Sequence, residues 1–192
     1  MGLTTLIFQN YFAASALFCT FARVTTTLYL TRHGQTEDNL NQIMQGQTQG
    51  RLTPLGEEQA RQLGVALRGV CFQAVVSSDL WRARHTAELA MAGRALAVET
   101  TPLLRERDWG GFTGRYIPSL KHEAWPDDVE SAEALLERAA CFLAWVRSRY
   151  EGKTVLAVAH GIINKAIQSV YYGKPMREIL PMGNCEVRVL QL

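Results

Sequence analysis

Nothing in this chain is arranged as metal-binding or redox cysteines are. Its four cysteines, Cys19, Cys71, Cys141 and Cys185, stand far apart and never form a Cys-x-x-Cys pair. That spacing excludes a zinc ribbon or a thioredoxin-like motif, and at this density a disulfide framework is not expected. Charge of one dominant sign is missing too: 20 basic and 18 acidic residues leave a formal net charge of +2. With no dense Lys/Arg block and no interleaved basic and aromatic run, there is no electrostatic footprint for a nucleic-acid partner. No HExxH or other short ligand cluster occurs, so no metal is expected. Internal repeats and linkers are absent, and 192 residues suit one well-packed domain.

One apolar stretch is long. Residues 3–22 are apolar and aromatic, interrupted by Gln9 and Asn10, and the first charge is Arg23. A signal peptide carries a basic region ahead of its apolar run, and here there is none. A membrane span needs about 18 nearly unbroken apolar residues, and the polar pair interrupts this one. Residues 1–26 therefore read as an N-terminal apolar extension ahead of a single domain at 27–192. The expected location is the cytoplasm, with membrane association or export through the extension as the alternative.

From residue 26 the hydrophobic pattern alternates between strand and helix. Short β-prone runs at 26–31, 72–77, 96–99, 154–159 and 185–190 are separated by helical patterns at 53–69, 78–91, 131–150 and 162–171. Thr53 is a candidate N-cap with Pro54 at the first helical position, and Gly56 is read as tolerated in that helix. Thr154-Val155-Leu156-Ala157-Val158-Ala159 is apolar throughout, as in a central strand covered on both faces. Residues 101–126, broken by Gly110, Gly111, Gly114, Pro118 and Pro126, read as loop and short helix. The fold class is α/β, a sandwich with a mostly parallel central sheet. Ligands of such sheets bind beyond the carboxyl ends of the strands.

The chemistry-bearing residues fall at those ends. The first strand delivers Arg32-His33-Gly34, the second Ser77-Ser78-Asp79 with Arg82 one turn later, and the fourth His160-Gly161. If these strands are parallel neighbours, two of the four histidines and two arginines meet at one sheet edge. Guanidinium groups grip phosphoryl oxygens in a planar, bidentate way and stabilise their charge during transfer. An imidazole neutral near pH 7 can attack phosphorus in line and form a phosphohistidine. The leaving oxygen then needs an acid, for which Glu106 is the first candidate and Asp108 the second. His85 and His122 read as surface or partner-bound histidines, whereas Trp109, in a glycine-flanked loop, is placed to wall a substrate.

The run Arg32-His33-Gly34-Gln35-Thr36-Glu37-Asp38-Asn39 resembles the RHGxTxxN signature of the histidine phosphatase superfamily, the phosphoglycerate mutase-like family. Ile43-Met44-Gln45-Gly46, Leu52-Thr53-Pro54-Leu55-Gly56-Glu57-Glu58, Ser77-Ser78-Asp79-Leu80-Trp81-Arg82, Leu104-Arg105-Glu106 and Val158-Ala159-His160-Gly161 are similar to its further blocks. The resemblance covers about residues 26–190 and implies a three-layer α/β/α sandwich. It implies His33 as nucleophile, Arg32, Arg82 and His160 as the phosphate pocket, and Glu106 as proton donor. It adds Asn39, Gln45, Gly46 and Gly161 as phosphate- or substrate-facing positions. Gly50-Arg51 and Ile162 depart from the family pattern, and Arg51 is placed to alter the pocket rim.

The expected function is that of a phosphomonoesterase acting on a small phosphorylated metabolite, with no cofactor. Cofactor-dependent mutases of the family carry a long insertion between the acid and the second histidine. Here only about 50 residues separate Glu106 from His160, and the helix at 131–150 uses nearly half of them, leaving Lys121 and His122 as the only obvious basic pair in that gap. The alternatives are a phosphoglycerate mutase-type transfer and a non-catalytic phosphate-binding or interaction module. Sugar phosphates, phosphoglycerates, a nucleotide-loop cofactor intermediate and phosphoprotein are all candidate substrates. A homodimer is compatible with the sequence.

Overall fold

The structure is a computed structural model and describes residues 24–192. The expected apolar extension therefore lies, up to residue 23, outside the described residues. Five strands run in chain order: β1 (Thr27–Arg32), β2 (Ala74–Ser78), β3 (Val98–Thr101), β4 (Thr154–Ala159) and β5 (Val187–Gln191). Between them lie α1 (Glu37–Leu40), α2 (Pro54–Ala66), α3 (Trp81–Ala90), α4 (Ala132–Arg149) and α5 (Gly161–Tyr172). They form one sheet in the order β3-β2-β4-β1-β5. All pairs are parallel except β1 with β5, where Leu28 faces Leu190 in an antiparallel ladder.

Side-chain alternation along β4 explains the layers. Val155, Ala157 and Ala159 point to one face, with Leu28 and Leu30 of β1, and pack under Leu135, Phe142, Leu143 and Val146 of α4 and Ile163 and Ile167 of α5. Leu156 and Val158 point the other way, against Leu63 of α2, Leu67 at its C-cap, and Ala83 and Ala87 of α3. A strand buried on both faces has no polar face to present, hence its unbroken apolar run. The molecule is a three-layer α/β/α sandwich with a largely parallel sheet, as the sequence implied. Among the described residues no helix is long and apolar enough to cross a membrane.

The helix starts follow their caps. Thr53 Oγ1 accepts from Gly56 N at 3.0 Å with Pro54 at the first position, and Ser131 Oγ accepts from Ala134 N at 3.0 Å. Helix α1 has no counterpart in the sequence reading, because four residues are too few for periodicity. A capping box holds it: Thr36 Oγ1 accepts from Asn39 N while Asn39 Oδ1 accepts from Thr36 N. Gly56 is more than tolerated. A Cβ there would lie 2.0 Å from Gln35 O, and one on Gly34 would lie 2.3 Å from Gly56 O. The turn that follows β1 thus rests directly on the first turn of α2, which fixes His33 from behind.

Candidate active site

β1, β4 and β2 are adjacent and parallel, so their carboxyl ends bring Arg32, His33, Arg82 and His160 together. The His33 and His160 rings stand 5.1 Å apart, centroid to centroid. His33 Nδ1 lies 2.7 Å from Gly34 O, an acceptor only, so Nδ1 carries the proton and donates it. The lone pair is thereby left on Nε2. Burial, then the charges of Arg82 and Arg32, hold His33 well below the ordinary histidine value. His160 is depressed in the same way, by burial first and then by Arg82, His33, Arg32 and Arg138. Both rings are neutral at pH 7.

Arg82 is fully buried and built into the site by the loop between α1 and α2. Its Nε–H donates to His160 Nδ1 at 3.2 Å, its Nη2 to Gly46 O at 2.8 Å, and its Nη1 to Thr48 O. Because Arg82 occupies His160 Nδ1 as an acceptor, the His160 proton sits on Nε2, a buried atom with no partner among the described residues. Gly50 leaves room for this guanidinium. It has a φ of +65°, and a Cβ there would meet Gln45 Nε2 at 2.5 Å and Arg82 Cδ at 3.1 Å. Burial lowers Arg82 to about 10, offset in part by Glu106 and Asp38, so it stays charged at neutral pH. Arg32 is lowered by burial as well; its Nη1 donates to Met182 O at 2.9 Å while its buried Nε has no partner among the described residues.

Glu106 sits opposite, at the start of α5. Its carboxylate accepts from Ile162 N and Ile163 N at 3.1 Å and from Arg107 N at 2.9 Å, where the helix dipole favours an acidic group. Asn39 Oδ1 is shared with Asn184 Nδ2 at 3.4 Å, and that same amide donates to His33 O at 2.9 Å. Gln45 Nε2 donates to Asp38 Oδ2 at 2.9 Å.

These groups surround a cavity of about 310 Å³ lined by Arg32, His33, Asn39, Gln45, Gly46, Arg82, Glu106 and Gly161, with Trp109 in its wall. His160 lies under its floor, completely buried. Asp108 is exposed and accepts from Gly110 N, away from the cavity, so the second candidate acid is not part of the site. Arg51 is exposed and does not line the cavity. His85 stacks on Trp81 at 4.4 Å, beside Glu57 and Glu88. Lys121 and His122 are exposed on the turn Ile117–His122. Sequence reasoning missed Asn184, Met182 and Lys165: the first two belong to the approach to β5, and a lysine on a helix carries no signal of its own. Among the described residues no group of three or more His, Cys, Asp or Glu side chains is arranged to hold a metal ion.

Residues 28–192 match the family model described as the histidine phosphatase superfamily (branch 1). A Salmonella arizonae protein named "Probable phosphoglycerate mutase GpmB" is 33% identical over 176 residues, covering 83% of this chain and 82% of that protein. The crystal structure of the alpha-ribazole phosphatase from Shigella flexneri superposes with a TM-score of 0.77 at 27% identity, covering 85% of this chain and 89% of that one. The mycobacterial glucosyl-3-phosphoglycerate phosphatase superposes with a TM-score of 0.78 at 26% identity, covering 87% of this chain and 90% of that one.

Proposed function

The chain belongs to the histidine phosphatase superfamily, branch 1, and from that premise we propose that it is a phosphomonoesterase hydrolysing a small phosphorylated metabolite through a phosphohistidine on His33. The observation that carries this reading is the His33 tautomer. Nδ1–H is spent on Gly34 O at 2.7 Å, which leaves Nε2 as an unprotonated nucleophile between two guanidinium groups.

The substrate phosphoryl group binds between Arg32 and Arg82, with His160 Nε2–H donating to one of its oxygens. His33 Nε2 attacks phosphorus in line as the ester P–O bond breaks. The leaving oxygen takes a proton from Glu106. Water then attacks the phosphohistidine, Glu106 takes up its proton, and inorganic phosphate leaves. The arginines carry the growing charge throughout, an effect worth about two to three powers of ten in rate for a single well-placed donor.

A mutase-type transfer is the second reading, supported by the relative named as a phosphoglycerate mutase over most of this chain. It requires that the phosphoenzyme be passed to an alcohol before water arrives. The segment from Glu106 to α4 holds only short turns, which favours water. Incubation with 4-nitrophenyl phosphate in metal-free buffer is expected to release phosphate, and His33→Ala to abolish release. Acid-labile, base-stable phosphate trapped on the wild type and missing from the variant identifies the intermediate. Undiminished turnover by His33→Ala would sink the mechanism; isomerisation of a monophosphoglycerate faster than its hydrolysis would select the mutase.

A further inference from the structure

One cation of the cavity has no part in the phosphoryl chemistry. Lys165 lines the same cavity as His33 and Arg82, on α5 one turn beyond Gly161. It is partly buried and makes no ion pair with any described residue. Two arginines of neighbouring elements are neutralised, Arg105 by Asp79 at 2.5 Å and Arg138 by Glu130 at 2.7 Å, while Arg107 is turned to the Glu130 carbonyl and stacked on Trp109. Glu106, the one carboxylate in the lining, is already engaged by three backbone N–H groups. Away from its phosphate end the cavity lining is largely apolar, with Ile43, Met44, Trp109, Ile117, Ile162 and Met182. A partly desolvated ammonium against such a wall lacks the counter-charge that buried cations ordinarily have.

We propose that Lys165 is a specificity-determining residue that selects phosphomonoesters bearing a carboxylate on the alcohol side, a refinement that rests on the phosphomonoesterase reading above. One ammonium on an apolar wall balances one compact negative charge. A second phosphate dianion, by contrast, calls for a guanidinium clamp of the kind Arg32 and Arg82 form at the floor. The substrate then spans the cavity, with phosphate at His33, an apolar or hydroxylated middle along the wall, and carboxylate at Lys165. A carboxylate left in that wall without its ammonium is an unpaired buried charge, so discrimination is largest in kcat/KM.

Two matched pairs of esters test this: 3-phosphoglycerate against glycerol 3-phosphate, and 4-carboxyphenyl phosphate against phenyl phosphate. In the wild type, at least one pair is expected to favour the carboxylate by about tenfold or more in kcat/KM, the scale of a charge-assisted hydrogen bond. The ratio within that pair should collapse toward one in Lys165→Gln, survive in Lys165→Arg, and invert in Lys165→Glu. Taking the ratio removes any general loss of activity in the variants. No preference in either pair, or a preference that survives Lys165→Gln, overturns the assignment of Lys165 while His33-dependent turnover of the esters without a carboxylate leaves the phosphatase reading standing. If no ester yields His33-dependent phosphate, that reading fails and the assignment falls with it.

Discussion

His33 and His160 are held neutral inside the protein, and this makes stability depend on pH in a definite direction. Their folded values lie well below the ordinary 6.5, through burial first. The unfolded chain therefore binds more protons than the folded one once pH drops below about 6.5, and stability falls as pH falls. Each histidine contributes at most about 1 kcal/mol per pH unit across that window. Urea unfolding at pH 7 and pH 5.5, without phosphate, should show this loss, and His160→Gln should flatten the slope; equal stability at both values contradicts it. Arg82→Lys is the second expectation at this scale. A lysine cannot reach the Gly46 and Thr48 carbonyls and His160 Nδ1 together, and each acceptor left buried without a donor costs about 1–3 kcal/mol. Turnover should fall by about a hundredfold or more alongside a lower melting temperature. Arg32, His33, Arg82 and His160 were legible in the sequence because each stands at a strand end or in the helical turn that follows, and Glu106 because its run leads out of the third strand region into the glycine-broken loop. Lys165 was not, since only the docking of α5 decides whether such a lysine meets solvent or a cavity.

Elements were legible where periodicity is long. The strand–helix alternation, the cap of α2 and the buried character of β4 all follow from residue type and side-chain spacing. The four residues of α1 were not legible, nor was the path of residues 46–50 around Arg82, because hydrogen bonds to distant groups decide them. Gly56 shows how contact overrides propensity. In an exposed helix Gly→Ala gains about 1 kcal/mol. Here the new methyl would sit 2.0 Å from Gln35 O, which is backbone and cannot step aside cheaply. Gly56→Ala is therefore expected to destabilise, by about 2 kcal/mol or more, on the scale of other overpacked sites. It should also lower kcat, because the turn after β1 that carries His33 must shift. Chemical denaturation and steady-state kinetics measure both; an increase in stability would mean that this turn does not bear on α2.

At the scale of the whole molecule, the described fold closes on itself at the edge of the sheet away from the site. Thr26 N donates to Leu192 O and Leu192 N to Thr26 O, so both ends of the described fold meet at the base of β1. The sequence showed a last strand but not its direction, since an edge strand running either way carries the same residues. Its antiparallel course is what matters for function. The approach to β5 passes the carboxyl end of β1, where Met182 O takes Arg32 and Asn184 reaches His33 O and Asn39. Two variants separate the mechanical from the chemical part of this arrangement. Removing residues 187–192 uncovers the whole β1 edge and takes away Leu190, which is completely buried. Against a total stability of about 5–15 kcal/mol, such a loss should leave no folded protein by circular dichroism. Asn184→Ala keeps β5 and removes only the tether between His33 and Asn39. It should melt close to the wild type yet lose about tenfold in kcat/KM, as expected when a nucleophile's backbone is positioned less tightly. A folded, inactive deletion variant would mean that β5 acts on the site and not on the sheet. Wild-type kinetics in Asn184→Ala would mean that the Gly34–Gly56 contact and the bonds of His33 N to Ala159 O and Gly34 N to Thr86 Oγ1 position His33 without it.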